Sequence, residues 1–425
     1  LRWHIVRTGL LGCLALCAAA QQQPPLTLAD CVRLATSAQS VAGIAHQQLE
    51  IAHYGIVQAR AGFLPQVSVG NLLGYNSPLP YQPETFSYIA SNGIREYSSL
   101  VTTAVELDTS GRLRAQFSRA KAEQDAAQAN VKLSERDLKR AVSAAYYRLL
   151  LAQRLIEVSR DNLAEAQAFE RRTRMLAEGM EVAQADVVKA AAQVAFFEQS
   201  LNAAELEAKL ANHDLAAFWT TDVDAPLSLA DELTGPVPVT DSNAPGAAPY
   251  MRRPEFNLLD AQKRGFEADA QRAMADRLPQ LSFVTQYGFD STRISMADRG
   301  YAGFVQLNIP VFDWFRSQSA AKQFQLQARQ VDIQREIAAR TFSKEYRDAL
   351  ARVDMIYSQI AISEKQVKLS EEDLRLARVR YEGGEGLALD VVTAQQQLAQ
   401  ARTNYLTARA NYMIARVDLE VAAGQ

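Results

Sequence analysis

The sequence predicts an α+β membrane protein built from one unit used twice, a pair of strands followed by a very long helical hairpin. Three observations lead there. A turn recurs: Leu176–Phe196 (LAEGMEVAQADVVKAAAQVAF) and Tyr381–Ala401 (YEGGEGLALDVVTAQQQLAQA) share a Glu-Gly turn, an Asp-Val-Val-x-Ala start and an Ala-rich run, with Asp186 and Asp390 at an offset of 204. The 14 prolines leave 84–225 and 311–425 empty, and proline breaks helix interiors. Leu64-Pro65-Gln66-Val67-Ser68-Val69 returns as Leu278-Pro279-Gln280-Leu281-Ser282-Phe283 at an offset of 214, each time opening a stretch of period-two alternation.

Taken in order, residues 1–20 read as an export signal. Arg2 and Arg7 form a positive start, Leu10–Ala20 a short apolar core, and Ala18-Ala19-Ala20 a small-residue cleavage site. Removing it leaves Cys31 as the one cysteine, so packing rather than disulfides must hold the chain. Cys17 is a weak candidate for lipidation, since Leu16 stands where a lipoprotein signal has a small residue. No later segment is apolar for long enough to span a bilayer as a helix. An exported chain of this kind either stays soluble or inserts as a β-barrel.

In the first repeat, 21–220, Val67, Val69, Leu73 and Tyr75 alternate with Gln66, Ser68, Gly70 and Gly74, and a returning strand carries Val101, Thr103, Val105 and Leu107. From Arg112 to Ala225 the only glycine is Gly179, which predicts a helix from Arg112 to Glu178, a turn and a second helix. Val187, Ala190, Val194, Phe197, Leu201, Ala204, Ala208, Ala211 and Leu215 recur at spacings of three and four, a coiled-coil seam whose other faces meet water. Residues 221–251, rich in Pro, Asp, Ala and Gly, read as a linker with a short ordered element at Leu227–Leu233. The second repeat, 252–425, follows the same plan. Its strands are marked by Leu281, Phe283, Tyr287 and Phe289, then Val305, Leu307 and Ile309. Its seam runs Val391, Ala394, Leu398, Ala401, Tyr405, Ala408, Tyr412, Ala415 and Leu419.

Composition excludes several functions. Lys+Arg is 45 against Asp+Glu 48, with no basic run, which argues against a nucleic-acid partner. His46, His53 and His213 are scattered without metal-ligand spacing, and nothing supplies a nucleophile with a base, so neither an enzyme nor a cofactor is expected. Trp314, just after a strand, suits a membrane-interface belt or simple packing.

Together these residues resemble the TolC-type outer membrane efflux proteins. The likeness is carried by Leu26-Thr27-Leu28-Ala29-Asp30-Cys31-Val32, both Leu-Pro-Gln entries, Ala145-Tyr146-Tyr147, Arg253-Pro254-Glu255, Ile309-Pro310-Val311-Phe312-Asp313 and the two turns, in order over nearly the whole chain. It implies a homotrimer whose strands join into a 12-stranded β-barrel in outer-membrane lipid, continued by an α-helical periplasmic tunnel. It implies a passive exit duct that docks a periplasmic adaptor (membrane fusion) protein and an inner-membrane pump or ABC transporter. The turns then form the docking tip: Gly179, Met180 and Glu181, with Gly383, Gly384, Glu385 and Gly386. Asp390, Asp186 and Tyr381 match a periplasmic gate, Asp390 as a carboxylate ring and the other two as a hydrogen-bonded pair between hairpins. A plain helix-capping role for Asp390, and seam packing for Tyr381, remain open beside this. The chain departs from the familiar gate where Gly386 and Thr393 replace a locking arginine and a second acidic ring, and where Met180 replaces a glycine. The competing function is an exported coiled-coil scaffold that conducts nothing.

Overall fold

The computed structural model describes residues 25–86, 93–233, 235–236 and 248–424. The leader expected at 1–20 and much of the linker's centre lie outside them. Two short helices open the chain, α1 (Leu28–Ser37) and α2 (Val41–Ala61). Thr27 caps α1 reciprocally: its hydroxyl accepts from the Asp30 N–H at 3.2 Å, and the Asp30 carboxylate accepts from the Thr27 N–H at 3.3 Å. Strands β1 (Gln66–Tyr75), β2 (Pro78–Leu79), β3 (Gln82–Phe86) and β4 (Arg95–Leu107) follow. Then comes the first hairpin, α3 (Arg112–Glu178) and α4 (Gln184–Ala216). The second half gives α5 (Pro254–Ala275), β5 (Gln280–Ser291), β6 (Gly300–Asn308), α6 (Arg316–Glu382) and α7 (Ala388–Ala422). Pro254 sits at the first turn of α5, where its missing N–H costs nothing.

Both long helices have 67 residues, roughly 100 Å at 1.5 Å per residue. Each is started by an aspartate: Asp108 accepts from Leu113 N–H at 2.9 Å, and Asp313 from Ser317 N–H at 3.0 Å. The residue before each helix is left-handed, Gly111 in one repeat and Phe315 in the other, preceded by a left-handed Trp314.

The main sheet is antiparallel in the order β1-β4-β5-β6; β2 and β3 form a separate hairpin. Pairing of β1 with β4 (Gln66 opposite Ala104) recurs in β5 with β6 (Gln280 opposite Asn308), so the two strand pairs share one register at the offsets of 214 and 204. β1 and β6 are the unpaired edges.

Packing follows the seams. On α4, Val187, Ala190, Phe197, Ala208, Ala211 and Leu215 are buried, and on α7 eight of the nine seam positions are, with Tyr405 half-buried. Among the described residues the core has three parts. One lies at mid-length, where α1 (Cys31, Ala35) covers Val142, Tyr146 and Leu149 of α3 together with Leu215 and Leu233. The segment after α4 is tied down there. Asn212 donates to Val223 and Ala225 carbonyls at 2.9 and 3.0 Å and accepts from Leu227 N–H at 2.9 Å. The Tyr146 hydroxyl donates to Ala230 O at 2.9 Å, and Leu26 bridges to Leu229 in parallel. A second part joins α6 and α7 through Val353, Ile360, Tyr412 and Leu419. The third lies at the hairpin tips.

One expectation needs adjustment. The faces beside the seams were to meet water, yet Gln193 and Gln395 are buried. Alanine-rich seams bring backbones close enough to cover the neighbouring position. Gln193 gains a hydrogen bond from Gln396 across the hairpins at 2.9 Å; the Gln395 amide has no partner among the described residues.

Candidate functional site

Two surfaces bear on function, one at each end. The first is the four-stranded sheet. Its register places Val69, Val101, Tyr287 and Tyr301 in one row across all four strands. Val105, Phe283 and Val305 form the next row but one on the same face, and Leu107, Leu281 and Leu307 another. The opposite face carries Ser68, Thr102, Gln286 and Ala302, then Glu106, Ser282 and Gln306. One face is therefore mainly apolar, interrupted by the rows of Thr103, Thr285 and Gly303 and of Asn71 and Ser99, and the other is mainly polar, with Ala104, Val284 and Phe304 as an apolar row. Val67, Leu73, Tyr287, Val305 and Leu307 are all exposed in the single chain. No described helix is long and apolar enough to cross a membrane.

The second is the pair of hairpin tips. Both helices end in the same Schellman turn. In the first, Met180 N–H donates to Ala177 O at 3.0 Å and Glu181 N–H to Leu176 O at 2.9 Å. In the second, Gly384 N–H donates to Tyr381 O at 3.1 Å and Glu385 N–H to Arg380 O at 2.9 Å. The left-handed position is Met180 (φ 61) in one and Gly384 (φ 75) in the other. Gly179 and Gly383 are ordinary right-handed caps. Gly386 closes the second turn with a 3.0 Å bond to Arg380 O. A Cβ there would lie 3.0 Å from the Tyr381 nitrogen, which gives a steric reason for glycine where a locking arginine was the comparison. Met180 is 95% exposed, and Val188 on the same hairpin and Leu387 and Leu389 on the other are exposed as well. Glu181 and Glu385 are exposed beside them.

The tips pack together through Phe169, Ala190, Leu374, Tyr381, Ala388, Val391, Ala394 and Leu398. Tyr381 is buried, its ring edge-on to Phe169 at 5.3 Å. Burial raises its phenol pKa above the ordinary value; the neighbouring Thr173 hydroxyl partly offsets this, and the Asp186 carboxylate adds to it. Among the described residues neither the Tyr381 nor the Thr173 hydroxyl makes a hydrogen bond of normal geometry. Asp186 instead meets Lys189 at 3.4 Å. The structure thus brings Asp186 near Tyr381 without joining them. Asp390 is exposed in the first turn of α7 and accepts from Leu387 N–H at 3.2 Å, a helix-start contact.

Sequence reasoning missed an ionic network that ties the hairpins just behind the tips. Glu165 of α3 meets Arg378 of α6 at 3.4 Å and Arg402 of α7 at 3.6 Å; Arg402 also reaches Glu371 at 3.5 Å and Asn162 at 3.2 Å. It borders a cavity of about 420 Å³ lined by Phe169, Arg172, Arg378 and Tyr381. The partners from different hairpins, Glu165 and Asn162 with Arg378 and Arg402, are more than two hundred residues apart, so no local pattern marks them.

Comparisons with known proteins bear on the family and the fold. The sequence model of the family described as outer membrane efflux protein matches residues 43–221 and 251–425. Nodulation protein T of Rhizobium leguminosarum bv. viciae is 25% identical over 324 residues, 74% of this chain and 67% of the relative. Outer membrane protein OprJ of Pseudomonas aeruginosa is 25% identical over 187 residues, 43% of this chain and 39% of the relative. Among solved structures, a membrane protein from Pseudomonas aeruginosa superposes with a TM-score of 0.81 at 20% identity, covering 93% of this chain and 92% of that one. The Campylobacter jejuni CmeC outer membrane channel gives 0.79 at 16% identity, covering 93% and 85%. At these identities the structural likeness concerns the fold.

Proposed function

The chain belongs to the outer membrane efflux protein family, and on that premise we propose that it forms the outer-membrane exit duct of a tripartite efflux or type I secretion machine. The observation that carries this is the sheet. It has one mainly apolar face with apolar rows reaching from edge to edge, two edges unpaired among the described residues, and long helices leaving it on both repeats. Four strands cannot close on themselves, and open strand edges are not tolerated in lipid. Copies must therefore join. Three copies of four strands make the twelve-stranded barrel that the family resemblance implies. The apolar rows face lipid and the polar rows face the lumen. Trp314 and Phe312, exposed and 4.7 Å apart where β6 passes into α6, suit the barrel's interfacial belt.

The hairpins then extend the duct about 100 Å from the barrel into the periplasm. In this reading the chain divides into repeats 21–220 and 252–425 with 221–251 between. The tips carry two roles. The two turns, Gly179, Met180 and Glu181 with Gly383, Gly384, Glu385 and Gly386, and the exposed apolar residues of the tips dock a periplasmic adaptor, which links the duct to an inner-membrane pump or ABC transporter. Asp390, Asp186 and Tyr381 form the gate. Asp390, repeated by the oligomer, supplies a carboxylate ring that favours cations, while Tyr381 and Thr173 hold unspent hydrogen-bonding capacity beside Asp186. A water-soluble scaffold gains nothing from an apolar sheet face in both repeats.

The reading is tested by extracting the protein from outer membranes with detergent. A heat-modifiable oligomer of three chains is expected. A monomer released without detergent would overturn it.

A further inference from the structure

The duplication supplies an internal control for the corner where a strand passes into a long helix. In the first repeat that corner is Leu107-Asp108-Thr109-Ser110-Gly111-Arg112; at the offset of 204 its counterpart is Val311-Phe312-Asp313-Trp314-Phe315-Arg316. The first is polar and neutralised from within: Arg112 is held by Glu106, and Arg114 by Asp108 at 2.8 Å. In the second, Pro310 and Phe312 stand where those two carboxylates were, and Gln318 where the second arginine was. Arg316 is kept and is exposed. Arg277, between α5 and β5, is exposed too and lies close enough for its charge to act on the Asp313 carboxylate. Among the described residues neither guanidinium makes an ion pair or a hydrogen bond. Asp313 is itself engaged, accepting from Ser317 N–H at 3.0 Å.

The apolar part of the corner is exposed and strained. Val311, Phe312, Trp314 and Phe315 are all exposed and continue the exposed run of Val305, Leu307 and Ile309 from the sheet. Trp314 and Phe315 are both left-handed, φ 53 and 60, where the first repeat uses Gly111 at φ 79. Only glycine adopts that conformation without strain. Among the described residues the ring contacts of Trp314 and Phe315 are with Phe312, itself exposed. Strain kept for rings that gain so little packing serves something outside the chain.

We propose that this corner of the second repeat seats the headgroup of an anionic phospholipid, with the aromatic rings at the acyl boundary and Arg316 and Arg277 on the phosphate. A protein surface is the poorer occupant. The first repeat's corner is covered by protein, Thr109 donating to Pro279 O at 3.0 Å, and it carries its own carboxylates against its arginines. A zwitterionic headgroup brings an ammonium that meets two arginines and a carboxylate already in use. The proposal rests on the reading that the sheet stands in lipid, and adds which lipid is selected and by which residues.

The test reconstitutes the full chain in phosphatidylcholine vesicles holding a minor share of brominated phosphatidylglycerol or, in parallel, the same share of brominated phosphatidylcholine. Bromine quenches the fluorescence of a tryptophan that it touches. The difference between the chain and Trp314→Phe isolates Trp314, since Trp219 packs against the mid-length core. Brominated phosphatidylglycerol is expected to quench Trp314 about fivefold more effectively, the weight of one basic residue at an anionic surface. Arg316→Gln combined with Arg277→Gln is expected to bring the two lipids level and leave the heat stability of the oligomer unchanged. Equal quenching by both lipids in the unaltered chain shows a belt that does not select. No quenching in an inserted oligomer, or a double variant whose oligomer loses heat stability, shows a corner covered by a neighbouring copy. Each of these overturns the proposal and leaves the duct intact. A chain that fails to insert removes the duct reading, and this proposal with it.

Discussion

Met180 and Gly384 occupy the same place in the two turns, yet only glycine takes a left-handed conformation without strain. A non-glycine residue there costs about 1–2 kcal/mol, and strain of this kind concentrates at functional positions. Met180→Gly should therefore leave the oligomer at least as heat-stable as before while weakening capture of the adaptor by site-specific cross-linking at the tip; unchanged capture would leave the strain without a functional reason. Asp390 gives a second prediction. It is exposed and its own contact is with a backbone N–H. Asp390→Ala should keep the fold and lower the preference of the pore for cations, read as a reversal potential across a salt gradient; an unchanged potential would argue that Asp390 only starts its helix. Glu255 makes a third, and its sign follows from its partners. Burial would raise its pKa, but hydrogen bonds from Arg136 and Arg253 outweigh this and hold it below the ordinary 4.5. Its contribution to stability is thus complete above about pH 4.5 and is lost as pH falls through the lowered folded value. Both arginines are nearly buried, so Glu255→Gln should destabilise by about 3 kcal/mol near neutrality. The difference from the unaltered protein should shrink in acid unfolding curves.

The elements differ in how openly the sequence declares them. The ends of α3 and α6 were legible because proline and glycine are absent for whole stretches, and both helices end at the predicted turns. Strand β4 was only half legible. Alternation marks Val101–Leu107, but the strand begins at Arg95, where Arg95-Glu96-Tyr97-Ser98-Ser99 lacks an apolar pattern and is ordered by pairing with Tyr75–Asn71 of β1. The hairpin β2–β3 was not legible at all; it is short and interrupted by proline. Gly288 shows what holds the strands in register. It adopts φ 154, and a Cβ there would fall 1.9 Å from the Ser99 carbonyl oxygen on β4. Gly288→Ala should open the β4–β5 pairing and abolish heat-stable oligomers on gels; wild-type heat stability in that variant would contradict the strand register.

At the scale of the whole molecule, the candidate site was visible in outline and hidden in its wiring. The turns, Asp186 and Asp390 stand out because the sequence repeats them, and Tyr381 only through the family resemblance. The contacts that bind one hairpin to the other, Glu165 with Arg378 and Arg402 and Gln193 with Gln396, do not, since they depend on how the repeats lie side by side. In the proposed assembly the two surfaces belong together: neighbouring copies would finish the sheet, and the helices would carry its lumen away from the membrane. The central claim is that this assembly conducts. Reconstitution of the purified protein into planar lipid bilayers measures it directly. Discrete conductance steps with a preference for cations are predicted; a well-folded, reconstituted protein that leaves the bilayer insulating would contradict the claim.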